Sequence, residues 1–210
     1  METEFFASPL NHHLPRYHSM YADTDPAFGY LGSFFRRREK PPQGCFKAHS
    51  PFTEVFMLES LLRIHELLQE ATGPMSFAVV VPAWQREESW LTLCASPFLP
   101  STPDSEPAPV FIEAHDHCYL DGTLYKRNDL RARPAPFGSG VFFLQNDPGA
   151  AKWPVTREAV SDLKDAFAKV QPGEELRIRV EHEVRSQEIP LHVMGKRERN
   201  WSGLYLAHKT

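Results

Sequence analysis

Apolar residues recur at helical spacing after position 54, and this pattern predicts the first helix of the chain. Ser50 is expected to cap this helix. Pro51 suits its first position because the missing proline N–H would have no partner there. Gly73 and Pro74 are expected to end it. The apolar positions of the helix are Val55, Leu58, Leu61, Leu62, Ile64 and Leu68.

Apolar runs on both sides of this helix predict strands. Residues 77–81 read Phe-Ala-Val-Val-Val and are followed by Pro82, which is typical of an interior strand covered on both faces. Residues 44–48, Gly-Cys-Phe-Lys-Ala, predict a weaker strand upstream. The order strand, helix, strand predicts a βαβ unit, and hence a parallel sheet with a crossover helix.

Two more strands and a second helix are predicted further along the chain. Residues 110–112 and 141–144 read as strands, and residues 145–149, Gln-Asn-Asp-Pro-Gly, read as a turn. A second amphipathic helix opens near Val155. Its apolar face consists of Val160, Leu163, Phe167 and Val170.

The last forty residues have a different pattern. From Leu176 to Val184 apolar and charged residues alternate, which is typical of a half-exposed strand. Residues 189–194 and 201–206 are candidates for two more strands. The expected fold class is therefore α/β, with a core over residues 1–172 and an antiparallel β extension over 173–210.

The chain has 210 residues, of which 41% are hydrophobic, and this is enough for one buried core. Proline is in excess, with 19 prolines against 11 glycines. The segment 96–109 holds a cluster of them and predicts a stiff insertion that serves as a candidate partner-binding loop. The clustered residues are Pro97, Pro100, Pro103, Pro107 and Pro109.

Charge and cysteine content exclude several classes of protein. The net charge of −4 argues against binding of DNA or RNA through a general basic surface. No apolar run is long enough for a membrane span, and the acidic start at residues 1–4 is unlike a signal peptide. The cysteines Cys45, Cys94 and Cys118 are widely spaced and odd in number, which favours free thiols in a reducing compartment.

Four segments carry candidate chemistry, and three of them have a plainer interpretation that is favoured on spacing alone. Residues 48–52 follow a predicted strand, where α/β sheets bind ligands, but a simple helix cap by Ser50 and Pro51 is the favoured interpretation. Residues 5–11 resemble a strand end followed by a ligand-contacting loop. The run His115-Asp116-His117-Cys118 could hold zinc, although ordinary surface or core histidines are favoured and no metal site is predicted. Arg36, Arg37 and Arg38 are candidate RNA contacts or simply a solvated loop.

Three segments together resemble the phosphorylated-CTD-interacting factor family, whose members are cap-specific adenosine-N6 methyltransferases. They are residues 6–11 (Phe-Ala-Ser-Pro-Leu-Asn), residues 21–29 and residues 143–153 (Phe-Leu-Gln-Asn-Asp-Pro-Gly-Ala-Ala-Lys-Trp). The resemblance covers roughly residues 5–170. It implies a Rossmann-like core that binds S-adenosylmethionine, and a nuclear protein, or an organellar one if a targeting segment has been removed.

The resemblance also implies the positions of the site. The family's catalytic motif is Asn-Pro-Pro-Phe, reached through a Phe-x-Ala step, and here Phe46-Lys47-Ala48 leads into His49, Ser50, Pro51 and Phe52. Phe52 would stack on adenine. The implied cofactor-binding residues are Ser8, Pro9, Leu10 and Asn11.

His49 stands where the motif has asparagine, and this replacement changes the expected chemistry. The adenine N6 amine is a poor nucleophile, and the asparagine oxygen accepts its hydrogen bond as charge develops. A histidine accepts at one nitrogen only while it is neutral, and a protonated ring only donates. Loss of one aligned transition-state contact commonly costs about 10²–10³ in rate.

The resemblance thus predicts a methyltransferase-like protein that is degenerate at its catalytic motif. The family carries a WW module and a helical region upstream, and this chain begins almost at the first predicted core strand. We therefore expect a non-catalytic subunit that binds no cofactor, with other protein chains of a larger assembly, and RNA, as its partners. The alternative is an active S-adenosylmethionine-dependent RNA adenosine-N6 methyltransferase in which His49 replaces the amine acceptor.

Overall fold

The computed structural model describes residues 1, 3–9, 11–19, 25–36, 42–100, 108–114, 116–120 and 132–169. The predicted β extension over 173–210, Leu10, Arg37 and Arg38 lie outside these residues.

A six-stranded mixed sheet forms the centre of the fold. Its strand order is β2-β1-β3-β4-β8-β5. Strands β2, β1, β3 and β4 are parallel, whereas β8 runs antiparallel to both of its neighbours. Strands β6 and β7 form a separate antiparallel pair. The strands are β1 (Thr3–Phe5), β2 (Arg16–Tyr17), β3 (Gly44–Ala48), β4 (Met75–Pro82), β5 (Val110–Ile112), β6 (Cys118–Leu120), β7 (Ala132–Pro134) and β8 (Ser139–Gln145).

Four helices accompany the sheet. They are α1 (Glu54–Glu70), α2 (Glu88–Cys94), α3 (Asp147–Lys152) and α4 (Arg157–Lys169). The unit β3-α1-β4 confirms the predicted βαβ unit, because β3 and β4 pair in parallel over five residues. The predicted strands at 110–112 and 141–144 and the second amphipathic helix are confirmed as β5, β8 and α4. None of the described helices is long and apolar enough to cross a bilayer.

Both faces of the sheet are covered by apolar packing. On the first face, Phe46 and Phe77 pack with Leu61 and Ile64 of α1. On the second face, Val110 and Val141 pack with Val160 of α4. Strand β4 is consequently buried along almost its whole length, as its continuous apolar run predicts.

The predicted start of α1 is wrong. The helix begins at Glu54 with Thr53 at its N-cap, so Ser50 and Pro51 lie in the preceding loop and do not cap it. The chain instead makes a tight turn in which the Thr53 N–H donates to the Pro51 carbonyl at 2.8 Å.

Part of the predicted apolar face of α1 is also wrong. Leu61, Ile64 and Leu68 are buried, whereas Val55 and Leu62 are 65% and 50% exposed. Residues seven apart share a face of a helix, so Val55 and Leu62 lie together on the outer side.

Several elements carry no clear signal in the sequence. Strand β2, helix α2 and the β6-β7 pair are additional to the prediction, and the turn at 145–149 leads into the short helix α3. Residues 96–100 belong to the packed fold, because the Phe98 carbonyl accepts from the Gln145 N–H at 2.8 Å. Residues 101–107 of the proline-rich insertion lie outside the described part of the chain.

Candidate functional site at the carboxyl edge of the parallel strands

Strands β1 and β3 end side by side, and this brings two predicted segments together. Phe5, the last residue of β1, pairs with Ala48, the last residue of β3. The loops that follow, 6–11 and 49–53, therefore leave the same edge of the sheet, where ligands bind in open α/β folds.

A cavity of about 340 Å³ opens at this edge between the two loops. Ser8 and Asn11 of the predicted cofactor loop line it, and so does Pro51 of the predicted catalytic motif. Aromatic rings from Phe6, Phe34 and Phe35 form much of the remaining wall.

The loop that carries Ser8 and Asn11 is closed on itself. The backbone N–H and the hydroxyl of Ser8 both donate to Asn11 Oδ1, at 2.7 and 3.0 Å. The chain enters this loop through Phe6, whose φ of 65° lies in the left-handed region that a non-glycine residue rarely adopts. Pro9 is half-buried in the same loop.

His49 points away from this cavity into a cluster of aromatic rings. Its ring is parallel to that of Tyr119, with centroids 5.8 Å apart and an interplanar angle of 6°. The ring of Phe52 is nearly perpendicular to it, with centroids 5.0 Å apart and an interplanar angle of 77°. His49 Nε2 is buried and has no hydrogen-bond partner among the described residues.

The electrostatic surroundings keep His49 uncharged. Burial, followed by the charge of Lys47, lowers the pKa of His49 to about 4, although Glu4 opposes the shift. The ring is therefore neutral at neutral pH. A protonated ring could only donate hydrogen bonds, whereas the neutral ring of His49 keeps one nitrogen that accepts a hydrogen bond.

Tyr119 is held against His49 by a buried hydrogen-bond chain. Its hydroxyl is hydrogen-bonded to Ser139 Oγ, which lies 2.9 Å from His117 Nε2. His117 Nδ1 in turn lies 3.0 Å from the Glu113 carbonyl. Ser139 and His117 are fully buried.

His117 is consequently a core histidine with both ring nitrogens hydrogen-bonded. No group of three His, Cys, Asp or Glu side chains in the described part of the chain is arranged to hold a metal ion. His115 lies outside that part.

The ring of Phe52 is surrounded by other aromatic side chains. His49, Tyr119 and Phe137 all meet it edge-on, with centroids 5.0, 5.4 and 5.9 Å away. Trp84 extends the cluster through Phe137. Sequence reasoning did not identify Tyr119, Phe137 or Trp84, because each reaches the site from a different element.

An ion pair lies between β1 and β3, close enough to affect the charge of His49. Lys47 Nζ is 2.6 Å from Glu4 Oε1, and the His13 N–H donates to Glu4 Oε2 at 3.0 Å. Burial alone would raise the pKa of Glu4. The hydrogen bonds from Lys47 and the His13 backbone, together with the charge of Lys47, outweigh burial and lower it.

The segment at 143–153, which makes the resemblance most specific, lies at the opposite edge of the sheet. Asn146 Oδ1 accepts from the backbone N–H groups of Met75 and Gly149, each at 2.9 Å. Its Nδ2 donates to the Gly73 carbonyl at 2.8 Å. The role of this segment in the described structure is thus to join elements.

Of the predicted RNA contacts, Arg36 is exposed in the loop that follows Phe34 and Phe35. Arg37 and Arg38 are outside the described residues.

The carboxyl-edge cavity fits part of S-adenosylmethionine. Its aromatic rings suit a flat adenine, and the serine and asparagine groups suit polar substituents. None of the described lining residues is acidic, so none supplies a carboxylate acceptor for the two ribose hydroxyls.

A mixed α/β sheet whose candidate site lies at the carboxyl edge of its parallel strands fits a methyltransferase-like fold. The family model described as phosphorylated CTD interacting factor 1 WW domain matches residues 1–122, which is more than half of the chain. The chain therefore belongs to the phosphorylated CTD interacting factor 1 family, and the resemblance seen in the sequence is confirmed. The matched residues contain β1 to β6, α1 and α2.

Two relatives share the name mRNA (2'-O-methyladenosine-N(6)-)-methyltransferase. The human protein is 33% identical over 168 residues, and the mouse protein is 32% identical over the same length. In both cases the match covers 78% of this chain and 22% of the relative. The chain thus spans about a fifth of the length of the relatives it matches.

Proposed function

We propose that this chain is a methyltransferase-like protein with a degenerate adenosine site, and that it serves as a structural or RNA-contacting subunit of a larger assembly. The observation that carries the proposal is the placement of His49. This residue stands where the family motif has asparagine, and its ring is packed against Tyr119 and Phe52.

The packing of the rings opposes stacking of a substrate base on Phe52. A base stacked on Phe52 would have to fit among three aromatic side chains whose ring centroids lie within 5.9 Å of its own. Tyr119 cannot turn aside without breaking its hydrogen bond to the fully buried Ser139, whose remaining partner is His117. Loss of one such hydrogen bond costs about 0.5–1.5 kcal/mol.

The predicted cofactor loop supports the same proposal. S-adenosylmethionine would supply the methyl group in an active member. In this chain the backbone N–H and hydroxyl of Ser8 donate to Asn11 within the loop, and the described lining of the cavity holds no carboxylate. We propose that the cavity does not bind S-adenosylmethionine with the affinity a working enzyme needs.

We further propose the division of the chain into a core over 1–172 and an extension over 173–210. The partners would be other protein chains and RNA. The exposed Arg36, with Arg37 and Arg38, is the proposed RNA contact, and the insertion at 96–109 is the proposed protein contact.

Methyl transfer to capped and uncapped RNA, together with calorimetry of S-adenosylmethionine binding, tests the proposal. The wild-type chain is expected to transfer no methyl group and to bind the cofactor no more tightly than millimolar. The variant His49→Asn restores the motif amide, and His65→Asn is the matched control because His65 lies on α1 beside Phe98, away from the site. Micromolar cofactor binding together with transfer by the wild type would refute degeneracy.

The second candidate function is an active adenosine-N6 methyltransferase with an altered motif. It is favoured by one observation, the neutral His49 whose buried Nε2 is without a partner among the described residues. An uncharged imidazole nitrogen accepts a hydrogen bond from an amine when its other nitrogen carries the proton. In this case wild type is active, and His49→Ala lowers the rate by about 10²–10³.

A further inference from the structure

A second cavity, of about 600 Å³, opens at the amino edge of the parallel strands, opposite the candidate methyltransferase site. It lies where β1, β2 and β3 begin. Because β8 is antiparallel, its end brings Lys152 and Trp153 to this same edge. The volume is within the roughly 300–1,000 Å³ typical of small-molecule sites.

The charged side chains that line this cavity in the described part of the chain are of one sign. Arg16 and Lys152 line it, and none of its described lining residues is Asp or Glu. The chain as a whole has a net charge of −4, so this is a local concentration of positive charge. Both cationic side chains belong to exposed residues that have no carboxylate partner among the described residues.

The backbone of Trp153 is anchored beside these charges. Its backbone N–H donates to the Gly149 carbonyl at 2.8 Å, and its carbonyl accepts from Gln145 Nε2 at 2.8 Å. Lys152 Nζ lies 4.8 Å from the centre of the indole ring. A smaller cavity of about 140 Å³ shares Trp153 with the first one and continues the wall with Phe143 and Val155.

Arginine and lysine beside a positioned indole suit a ligand that joins a phosphate to a flat ring. A guanidinium binds phosphate oxygens in bidentate geometry, an ammonium adds a point charge, and an indole face stacks on a base. We propose that the amino-edge cavity binds a 5′-phosphorylated nucleoside, with the base on Trp153 and the phosphate on Arg16 and Lys152. The nucleoside is either a free nucleotide or the 5′ end of an RNA strand.

This site is independent of the proposed function. The two cavities share His18 among their described lining residues, and neither His49 nor Phe52 lines the amino-edge cavity. The variant His49→Asn is therefore expected to leave nucleotide binding unchanged, whatever its effect on methyl transfer.

Calorimetric titration of the full chain with AMP, adenosine and inorganic phosphate tests the site. AMP is expected to bind saturably, and adenosine and phosphate each at least tenfold more weakly. Arg16→Gln and Lys152→Gln are each expected to weaken AMP binding by about tenfold, since each removes a charge-assisted contact. Arg86→Gln and Lys164→Gln make the same charge changes at exposed positions outside the cavity and should leave the affinity within about twofold.

RNA octamers with and without a 5′-phosphate distinguish the two sources of the ligand. Preference for the phosphorylated octamer over AMP identifies an RNA end, and the reverse identifies a free nucleotide. Trp153→Leu should abolish the advantage of AMP over inorganic phosphate, and circular dichroism verifies folding of each variant. Absence of saturable AMP and octamer binding up to about 1 mM, or equal losses in the two control variants, would overturn the proposal.

Discussion

Residues 49 and 119 place two parallel rings at the candidate site. Under the proposed function His49 stands in for a motif asparagine, so the site presents a ring where the motif presents an amide. Tyr119 lies parallel to it and Phe52 meets it edge-on. Offset and edge-to-face aromatic pairs contribute about 0.5–1.5 kcal/mol beyond the area they bury, so the cluster stabilises the fold at the place where a base would bind.

The first prediction concerns the titration of His49. Its pKa is lowered from 6.5 to about 4, so the unfolded chain binds more protons than the folded chain between these values. The contribution of the neutral His49 ring to the free energy of unfolding is fully present above about pH 6.5. It is lost as the pH falls towards 4, by about 3 kcal/mol in total. Urea unfolding across this range should show a smaller pH dependence in His49→Asn than in wild type. An NMR titration midpoint of His49 near 6.5 would contradict the prediction.

The second prediction concerns the ion pair of Lys47 and Glu4. Lys47→Met leaves a buried carboxylate without its cation and is expected to destabilise the protein by about 2–3 kcal/mol at neutral pH. This loss of stability is smaller than that expected on breaking a fully buried ion pair, because the Lys47 side chain is 31% exposed. The pKa of Glu4 is lowered in the wild type, so the stability this pair confers is lost in acid. The difference between variant and wild type should therefore shrink as the pH falls below about 4.5, whereas Lys164→Met should show no such difference.

At the scale of elements, Asn146 connects three of them. It caps α3 through Gly149, pairs with the first residue of β4, and reaches the end of α1 through the carbonyls of Gly73 and Ala71. A Cβ atom at Gly149 would lie 2.1 Å from the Met75 carbonyl oxygen, so only glycine allows this approach. The most specific motif of the family is thus explained by packing.

The third prediction follows from these contacts. Asn146→Ala removes a cap and leaves the buried N–H of Met75 and the part-buried carbonyl of Gly73 without this partner, which is expected to cost about 3 kcal/mol. Asp147→Ala, one residue away and exposed, is the control and should cost no more than about 1 kcal/mol. Chemical denaturation measures both. Equal losses in the two variants would show that the hydrogen bonds of Asn146 do not carry the stability.

The local sequence pattern predicts some elements of the fold correctly and gives no indication of others. The βαβ unit could be predicted because a long apolar helix and a doubly buried strand have strong periodicity. The antiparallel direction of β8 could not be predicted, because strand direction depends on how the chain returns to the sheet and no local sequence pattern indicates it. The start of α1 was misplaced because Ser50 and Pro51 are good capping residues on their own, and the turn at Pro51 and Thr53 overrides that preference.

At the scale of the whole molecule, some features of the candidate site follow from local sequence pattern and others depend on contacts between distant residues. The cavity that Ser8, Asn11 and Pro51 line together follows from two parallel strands that end at one edge, and the sequence indicates both strand ends. The contacts of Tyr119 and Phe137 with Phe52 join residues more than sixty positions apart. No spacing in the sequence indicates such contacts, so the closure of the ring cluster could not be predicted.

The fourth prediction concerns the extent of the core. Every strand pair in the described structure lies between Thr3 and Gln145, and α4 ends at Lys169. A chain of residues 1–172 is expected to unfold cooperatively with a melting temperature within about 5 °C of the full chain. Residues 1–152 lack α4, which packs on Val110 and Val141, and should be markedly less stable. Failure of 1–172 to fold would show that residues 173–210 complete the core.

Strand β8 reaches both edges of the sheet. Its first residue, Ser139, is hydrogen-bonded to Tyr119 at the carboxyl edge, and the side chain of its last, Gln145, donates to the Trp153 carbonyl at the amino edge. Six steps of a strand span about 20 Å, and β8 is buried along most of that length. The aromatic cluster around Tyr119 and the Trp153 wall of the amino-edge cavity are therefore held apart by one inextensible element. The two cavities themselves meet at His18, which lines both. A single RNA strand that occupied both would pass His18, and shorter ligands would fill each cavity separately.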